Sequence, residues 1–147
     1  MEISDVLSLD CTACAIQISS KKKVLESIAR VAHQKAQYID INTVLSSIFD
    51  REKKGSTGIG QGIAIPHGRI SGLEKAVAVL MTTESPIPFD AIDNEPVDVF
   101  FALLVPSCES SNYLEILSNV AGKLNTPAIV QKIRKAKTPN ELYEALA

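Results

Sequence analysis

Two stretches of the chain repeat their apolar residues at helical spacing. In "SSKKKVLESIARVAHQKA", residues 19–36, Val24, Leu25, Ile28, Val31 and Ala32 fall on one stripe. In "DINTVLSSIFDREKK", residues 40–54, Ile41, Val44, Leu45, Ile48 and Phe49 follow the i, i+3, i+4, i+7, i+8 pattern of an amphipathic helix. Asp40 stands where an N-cap belongs, and Arg51, Lys53 and Lys54 before Gly55 read as a basic last turn and a stop. Other stretches pattern as strands. "CAIQIS", residues 14–19, alternates; "AVAVLMTTE", residues 76–84, is apolar and β-prone; "VDVFFALLVP", residues 97–106, is a continuous apolar run closed by proline. A run of the last kind predicts a strand buried on both faces. The intervening "PIPFDAIDNEP" is a turn-rich connection.

Helical period returns in "SSNYLEILSNVAGKL", with Tyr113, Ile116, Leu117, Val120, Ala121 and Leu124 on one side. "TPAIVQKIRKA" and "TPNELYEAL" each begin with threonine then proline, a cap followed by proline at the first helical position. The second adds Glu141 at the capping-box position. No repeat or linker interrupts the pattern. It predicts one α/β domain over residues 1–147, a small mixed sheet with helices packed on it.

Composition narrows the function classes. A net charge of −2 argues against a dedicated nucleic-acid binder. No run of about 18 apolar residues occurs, and the acidic N-terminus "MEISDVLSLD" does not pattern as a secretory signal, so no membrane insertion is expected. Three cysteines are too few for a disulfide scaffold. The expected location is the cytoplasm.

The candidate chemistry lies in "GSTGIGQGIAIPHG", residues 55–68, which holds five of the chain's seven glycines and one of its two histidines. A dinucleotide-binding fingerprint needs glycines at n, n+2 and n+5, and a Walker loop needs Gly-Lys-Ser/Thr; neither occurs. Gly58, Gly60 and Gly62 alternate, so one edge carries no side chains and successive amides are available for an anion-binding nest. Pro66 fixes φ ahead of His67, and Gly68 removes bulk behind it. With Arg51, Ser56 and Thr57 upstream, the imidazole of His67 suggests chemistry on a transferred anionic group, because histidine changes charge near neutrality. A phosphoryl group needs mainly positioning and donors around its oxygens. On pattern alone, a glycine-rich hairpin with an incidental surface histidine accounts for the segment equally well.

The quoted residues carry a resemblance. "REKKGSTGIGQGIAIPHG" resembles the signature of the type-2 IIA domains of the bacterial phosphoenolpyruvate-dependent phosphotransferase system, the fructose, mannitol and nitrogen-regulatory group. "FDAIDNEPVDVFFALLVP" resembles a second stretch shared by the nitrogen-regulatory members. The resemblance runs from about residue 3 to the end of the chain. It implies a mixed sheet of roughly five strands flanked by helices, and a histidine, here His67, that carries a phosphoryl group on Nε2 while Nδ1 is held by a backbone carbonyl. It implies Arg51 beside the phosphoryl site, with nearby hydroxyl or amide groups such as Ser56 and Thr57. The donor implied is a small HPr-like carrier. No metal, nucleotide or other cofactor is implied, since an N–P bond is already activated. Gly58, Gly60, Gly62, Pro66 and Gly68 are expected to clear room for the docking partner. Family analogy adds regulatory targets such as potassium-transport proteins and sensor kinases, bound according to phosphorylation state.

Many relatives carry a second histidine where this chain has Tyr113. A tyrosine hydroxyl can donate to a phosphoryl oxygen but does not shuttle protons near pH 7, and Tyr113 also lies on an apolar stripe, which predicts packing. Two competing functions follow: a sugar-specific IIA subunit that passes its phosphoryl to a IIB domain, and a pure interaction module without phosphotransfer. The remaining candidates are expected to be structural: Cys11 and Cys14 as largely buried thiols, His33 and Lys21–Lys23 as solvated groups, and Asp90, Asp93 and Glu95 as a solvated turn.

Overall fold

The computed structural model describes residues 2–107 and 111–147, with the side chains of residues 111 and 112 not described. Cys108 and the first residue of the expected third helix, Ser110, lie outside the described residues. A single mixed sheet divides the hydrophobic interior in two. Its strands are β1 (Leu7–Ile16), β2 (Gly58–Gly60), β3 (Ile63–Ala64), β4 (His67–Ile70), β5 (Val77–Ile87) and β6 (Val97–Pro106), in the order β1-β5-β6-β3-β2, with β4 also paired to β6. On one face lie α1 (Lys21–His33) and α2 (Ile41–Lys53); on the other lie α3 (Ser111–Leu124), α4 (Pro127–Lys135) and α5 (Pro139–Leu146), with a 3-10 turn at Ile3–Asp5.

The central strand shows how the apolar run is used. Phe100, Ala102 and Leu104 of β6 face the α1–α2 core, while Val99, Phe101, Leu103 and Val105 face the α3–α5 core. Side chains alternate across a strand, so a sheet covered on both faces needs apolar residues at every position. β5 does the same with Val79 and Met81 on one side and Ala78 and Leu80 on the other. It runs past the predicted end, through Ile87. β1 runs Leu7–Ile16 rather than 14–19: it starts earlier than its alternation predicts because, as a sheet edge, it tolerates Ser8 and Asp10, and it ends before Gln17.

The helix stripes are buried as expected. Val44 and Ile48 of α2 are fully buried, with Ile41, Leu45 and Phe49 packed against the same core. Asp40 caps the helix, its carboxylate accepting from Asn42 N at 2.8 Å. Thr138 caps α5 through Glu141 N at 3.2 Å, but Glu141 returns its carboxylate to Lys137 N, one residue before the cap.

β3 and β4 explain the expected five strands. Both run parallel to β6 along the same edge, Ile63 and Ala64 opposite Val99 and Phe100, then His67 to Ile70 opposite Leu103 to Pro106. They are one interrupted sheet position. The break falls at Ile65 and Pro66, where proline has no N–H for a ladder; its carbonyl still accepts from Leu103 N at 2.9 Å. His67 is the first residue after the break.

Candidate phosphoryl-acceptor site

Gly68 is buried on β4 against α2. A Cβ there would meet the Ser47 carbonyl oxygen at 3.1 Å and its Oγ at 3.2 Å. The missing side chain lets α2 lie close over the strand. Arg51, one helical turn beyond Ser47, is thereby brought to His67, with its Nε donating to His67 Nε2 at 3.3 Å. The guanidinium is anchored by Nη1 donating to the Gly55 carbonyl at 2.9 Å.

The other ring nitrogen is held as well. His67 Nδ1 lies 2.8 Å from the Ile65 carbonyl. A carbonyl only accepts, so Nδ1 carries the proton and Nε2 keeps its lone pair. The half-buried ring opens on a cleft of about 500 Å³ lined by Ser47, Asp50, Arg51, Lys54, His67, Gly68, Arg69, Leu103, Val105, Tyr113, Leu114 and Leu117. Arg51, Lys54 and Arg69 outnumber the single carboxylate of Asp50, so the cleft favours an anionic group beside the nucleophilic nitrogen. Tyr113 lines it too, but is only 7% exposed and belongs to the α3–α5 core. Leu114, 64% exposed, stands at the rim.

Several residues expected at the site are elsewhere. Ser56 donates its hydroxyl to the Phe89 carbonyl at 2.9 Å, and Thr57 is buried with its hydroxyl on Glu52 at 2.6 Å. Neither lines the cleft. The amide nest is not free: Gly58 N donates to Ser56 Oγ, and Gln61 N donates to the Asp93 carboxylate at 2.9 Å. The chain's own Asp93 is the anion, and the backbone N–H groups of Gln61 and Glu95 hold its carboxyl below the usual range.

Gly58 and Gly62 likewise have an internal reason. Gly58 lies so close to Ala91 that a Cβ would come within 2.7 Å of the alanine methyl and 2.9 Å of its Cα. Gln61 and Gly62, the two central residues of the β2–β3 hairpin, both have positive φ, as a tight turn of the I′ kind requires. Arg134 of α4 clamps this turn, donating to the Gln61 carbonyl at 2.6 Å and to Asp98. The glycine-rich hairpin and the histidine site are therefore both present, in successive parts of one segment.

Two charged residues escaped the sequence patterns. Glu52 is buried, its carboxylate accepting from Thr57 N and Oγ1 and pairing with Lys21 Nζ at 2.9 Å. Lys21, expected in solvent, instead also donates to the Phe89 carbonyl and sits 4.6 Å over the Phe89 ring. The signal for Glu52 was present: it continues the buried stripe of α2 one turn beyond Ile48. His33 is half-buried and its Nε2 lies 2.9 Å from the Ile39 carbonyl. Cys11 and Cys14 project to opposite faces of β1, Cys11 into the α1–α2 core and Cys14 against the α3–α5 core. Among the described residues no group of three metal-ligating side chains converges, and no helix is long and apolar enough to cross a membrane.

Residues 5–147 match the family described as the phosphoenolpyruvate-dependent sugar phosphotransferase system, EIIA 2. The nitrogen regulatory proteins of Klebsiella oxytoca and Escherichia coli K12 are 44% and 43% identical over 147 residues, spanning 99% of this chain and 90% of each relative. The crystal structure of the nitrogen regulatory protein IIA-Ntr from Neisseria meningitidis has a TM-score of 0.93 at 34% identity, covering 99% of both chains. The mannitol IIA of Escherichia coli, at 16% identity, shares the fold with a TM-score of 0.77 over 95% of this chain and 98% of its own. By these matches the chain belongs to the EIIA type-2 family of the phosphotransferase system, in its nitrogen-regulatory group.

Proposed function

We propose that this protein is a phosphocarrier that accepts a phosphoryl group on His67 Nε2 from an HPr-like carrier, and that the phosphorylated and free forms bind regulatory partners differently. The observation that carries the proposal is the ring's double tether: Nδ1–H on the Ile65 carbonyl, Nε2 on the cleft side beside Arg51. The Nε2 lone pair attacks phosphorus in line as the P–N bond of the carrier's phosphohistidine breaks. The departing imidazole keeps the bonding electron pair on the nitrogen that held phosphorus and, with the proton already on its other ring nitrogen, leaves neutral. His67 loses no proton. Positive charge develops across its ring, and the Ile65 carbonyl on Nδ1–H stabilises it. Arg51, Lys54 and Arg69 offset the oxygens of the arriving group. Adding roughly two negative charges at the floor of a cleft rimmed by exposed Leu114 alters which surfaces dock there without desolvation cost.

The test is intact mass after incubation with phosphoenolpyruvate, the nitrogen-branch enzyme I and its HPr-like carrier, for the wild type and His67→Ala. One acid-labile phosphoryl on the wild type and none on the variant is the expected result. No gain with an active carrier overturns the reading in favour of a pure interaction module. Efficient onward transfer to a sugar-specific IIB domain would make the chain a sugar IIA subunit instead.

A further inference from the structure

The buried carboxylate of Glu52 has no place in the cleft, yet it sits next in sequence to Arg51. We infer that the Lys21–Glu52 pair is a positioning device that clamps Thr57 and, through it, sets the tautomer of His67 and the pose of Arg51. The inference rests on the phosphoryl-acceptor role of Nε2.

The clamp is a closed set of contacts. Glu52 is 5% exposed at its side chain and accepts from the Thr57 hydroxyl at 2.6 Å, from Thr57 N at 3.1 and 3.2 Å, and from Lys21 Nζ at 2.9 Å. Thr57 is thereby fixed at its amide and its side chain. Its carbonyl then accepts from Ile65 N at 2.9 Å. The Ile65 carbonyl in turn accepts from His67 Nδ1–H at 2.8 Å. One route therefore runs from a buried ion pair to the proton on Nδ1 that leaves Nε2 with its lone pair. A second route is shorter. Glu52 and Thr57 bracket the loop that holds Gly55, whose carbonyl anchors Arg51 Nη1. Lys21 and Ser56 both donate to the Phe89 carbonyl and tie the same loop to the connection before β6.

Stability alone does not require an ion pair here. A buried carboxylate with its partner is often replaced by apolar residues at no loss, because desolvation offsets much of the Coulombic gain. What an apolar replacement cannot do is grip both the amide and the hydroxyl of Thr57. A loose Thr57 frees Ile65 to shift and a loose Gly55 frees Arg51, and a neutral imidazole that has lost both its acceptor at Nδ1 and its donor at Nε2 populates both tautomers. The tautomer with the proton on Nε2 has no lone pair there to attack phosphorus.

The experiment compares the wild type with Glu52→Gln, Thr57→Val and Lys21→Met, each close in volume to the residue it replaces. Long-range ¹H–¹⁵N spectra of the His67 ring read the tautomer without any phosphoryl donor, and phosphotransfer from the HPr-like carrier is followed in parallel. The wild type is expected as a single Nδ1–H tautomer. Glu52→Gln is expected to show averaged ring shifts and a kcat lower by about 10- to 100-fold, the usual cost of losing a group that orients a reacting residue, with KM little changed. Wild-type ring shifts in a folded Glu52→Gln protein, even one that melts earlier, overturn the inference. If Glu52→Gln does not fold, unchanged ring shifts in both Thr57→Val and Lys21→Met overturn it equally. A wild type that accepts no phosphoryl refutes the proposed function, while the ring spectra still decide whether the clamp sets the tautomer.

Discussion

At the Gly58–Ile63 hairpin the chain packs against itself, whereas at His67–Arg69 the same segment faces an open cleft. In the first half the glycines and the turn serve internal contacts: Gly58 against Ala91, Gln61 N on Asp93, and the turn carbonyl under Arg134. In the second half a single glycine, Gly68, admits α2, and the result is a half-buried imidazole on a cleft with a cation beside it. Glycine enrichment thus reports two different demands, one for self-packing and one for assembling a site. Only the second touches chemistry.

The largest way to sharpen that contrast is at the cleft. Arg51→Ala is expected to slow phosphoryl acceptance by about 100-fold, the scale for removing one preorganised donor beside developing charge, with thermal stability nearly unchanged. Quench-flow mass spectrometry against the phosphorylated carrier measures it; a rate near wild type would mean that the guanidinium only packs. At the hairpin the sign of the pattern reverses. Gly58→Ala is expected to cost about 1–3 kcal/mol of stability by overpacking against Ala91, read from urea unfolding, with the folded protein still accepting a phosphoryl at the wild-type rate. Adding Ala91→Gly should recover part of the loss, because the closest clash is methyl to methyl. A Gly58→Ala protein that is stable but fails to accept a phosphoryl would break the comparison.

The smallest effect belongs to Asp93. Backbone N–H groups of Gln61 and Glu95 hold its carboxyl below the ordinary value. A lowered native pKa contributes stability above the unfolded-state value, and the contribution fades as pH falls through the native one. Asp93→Asn should therefore destabilise slightly at neutral pH and flatten the decline in melting temperature from about pH 5 to about pH 3. Parallel declines in the two proteins would show that the carboxylate is not ionised for the hairpin's benefit.

How far the chain could be read in advance follows from which interactions are local. The α2 stripe from Ile41 to Phe49, the Asp40 cap and the doubly buried run of β6 depend on neighbours within a few residues, and each matches the structure closely. Of the edge strand β1 only residues 14–16 were visible in advance, because an edge relaxes the demand for apolar residues at Ser8 and Asp10. At the site, the motif marked His67 and Arg51, and the structure brings them to 3.3 Å. Ser56 and Thr57 are equally polar and equally near in sequence, yet both bond away from the cleft. Nothing in their spacing tells a hydroxyl which of two acceptors it will meet.

The sequence by itself determined the five helices, the two central strands with their two-sided burial and the nomination of one histidine, since periodicity and residue chemistry are properties of short stretches. Tertiary structure alone decided which ring nitrogen carries the proton, why Gly58 and Gly68 are small, that Cys11 and Cys14 lie on opposite faces, and that Lys21 crosses from α1 to the buried Glu52 of α2. Those outcomes depend on which carbonyl, helix or counter-charge arrives from elsewhere in the chain. A hydrogen-bond partner 2.8 Å away is chosen by how the layers pack, and that choice is written in no local pattern.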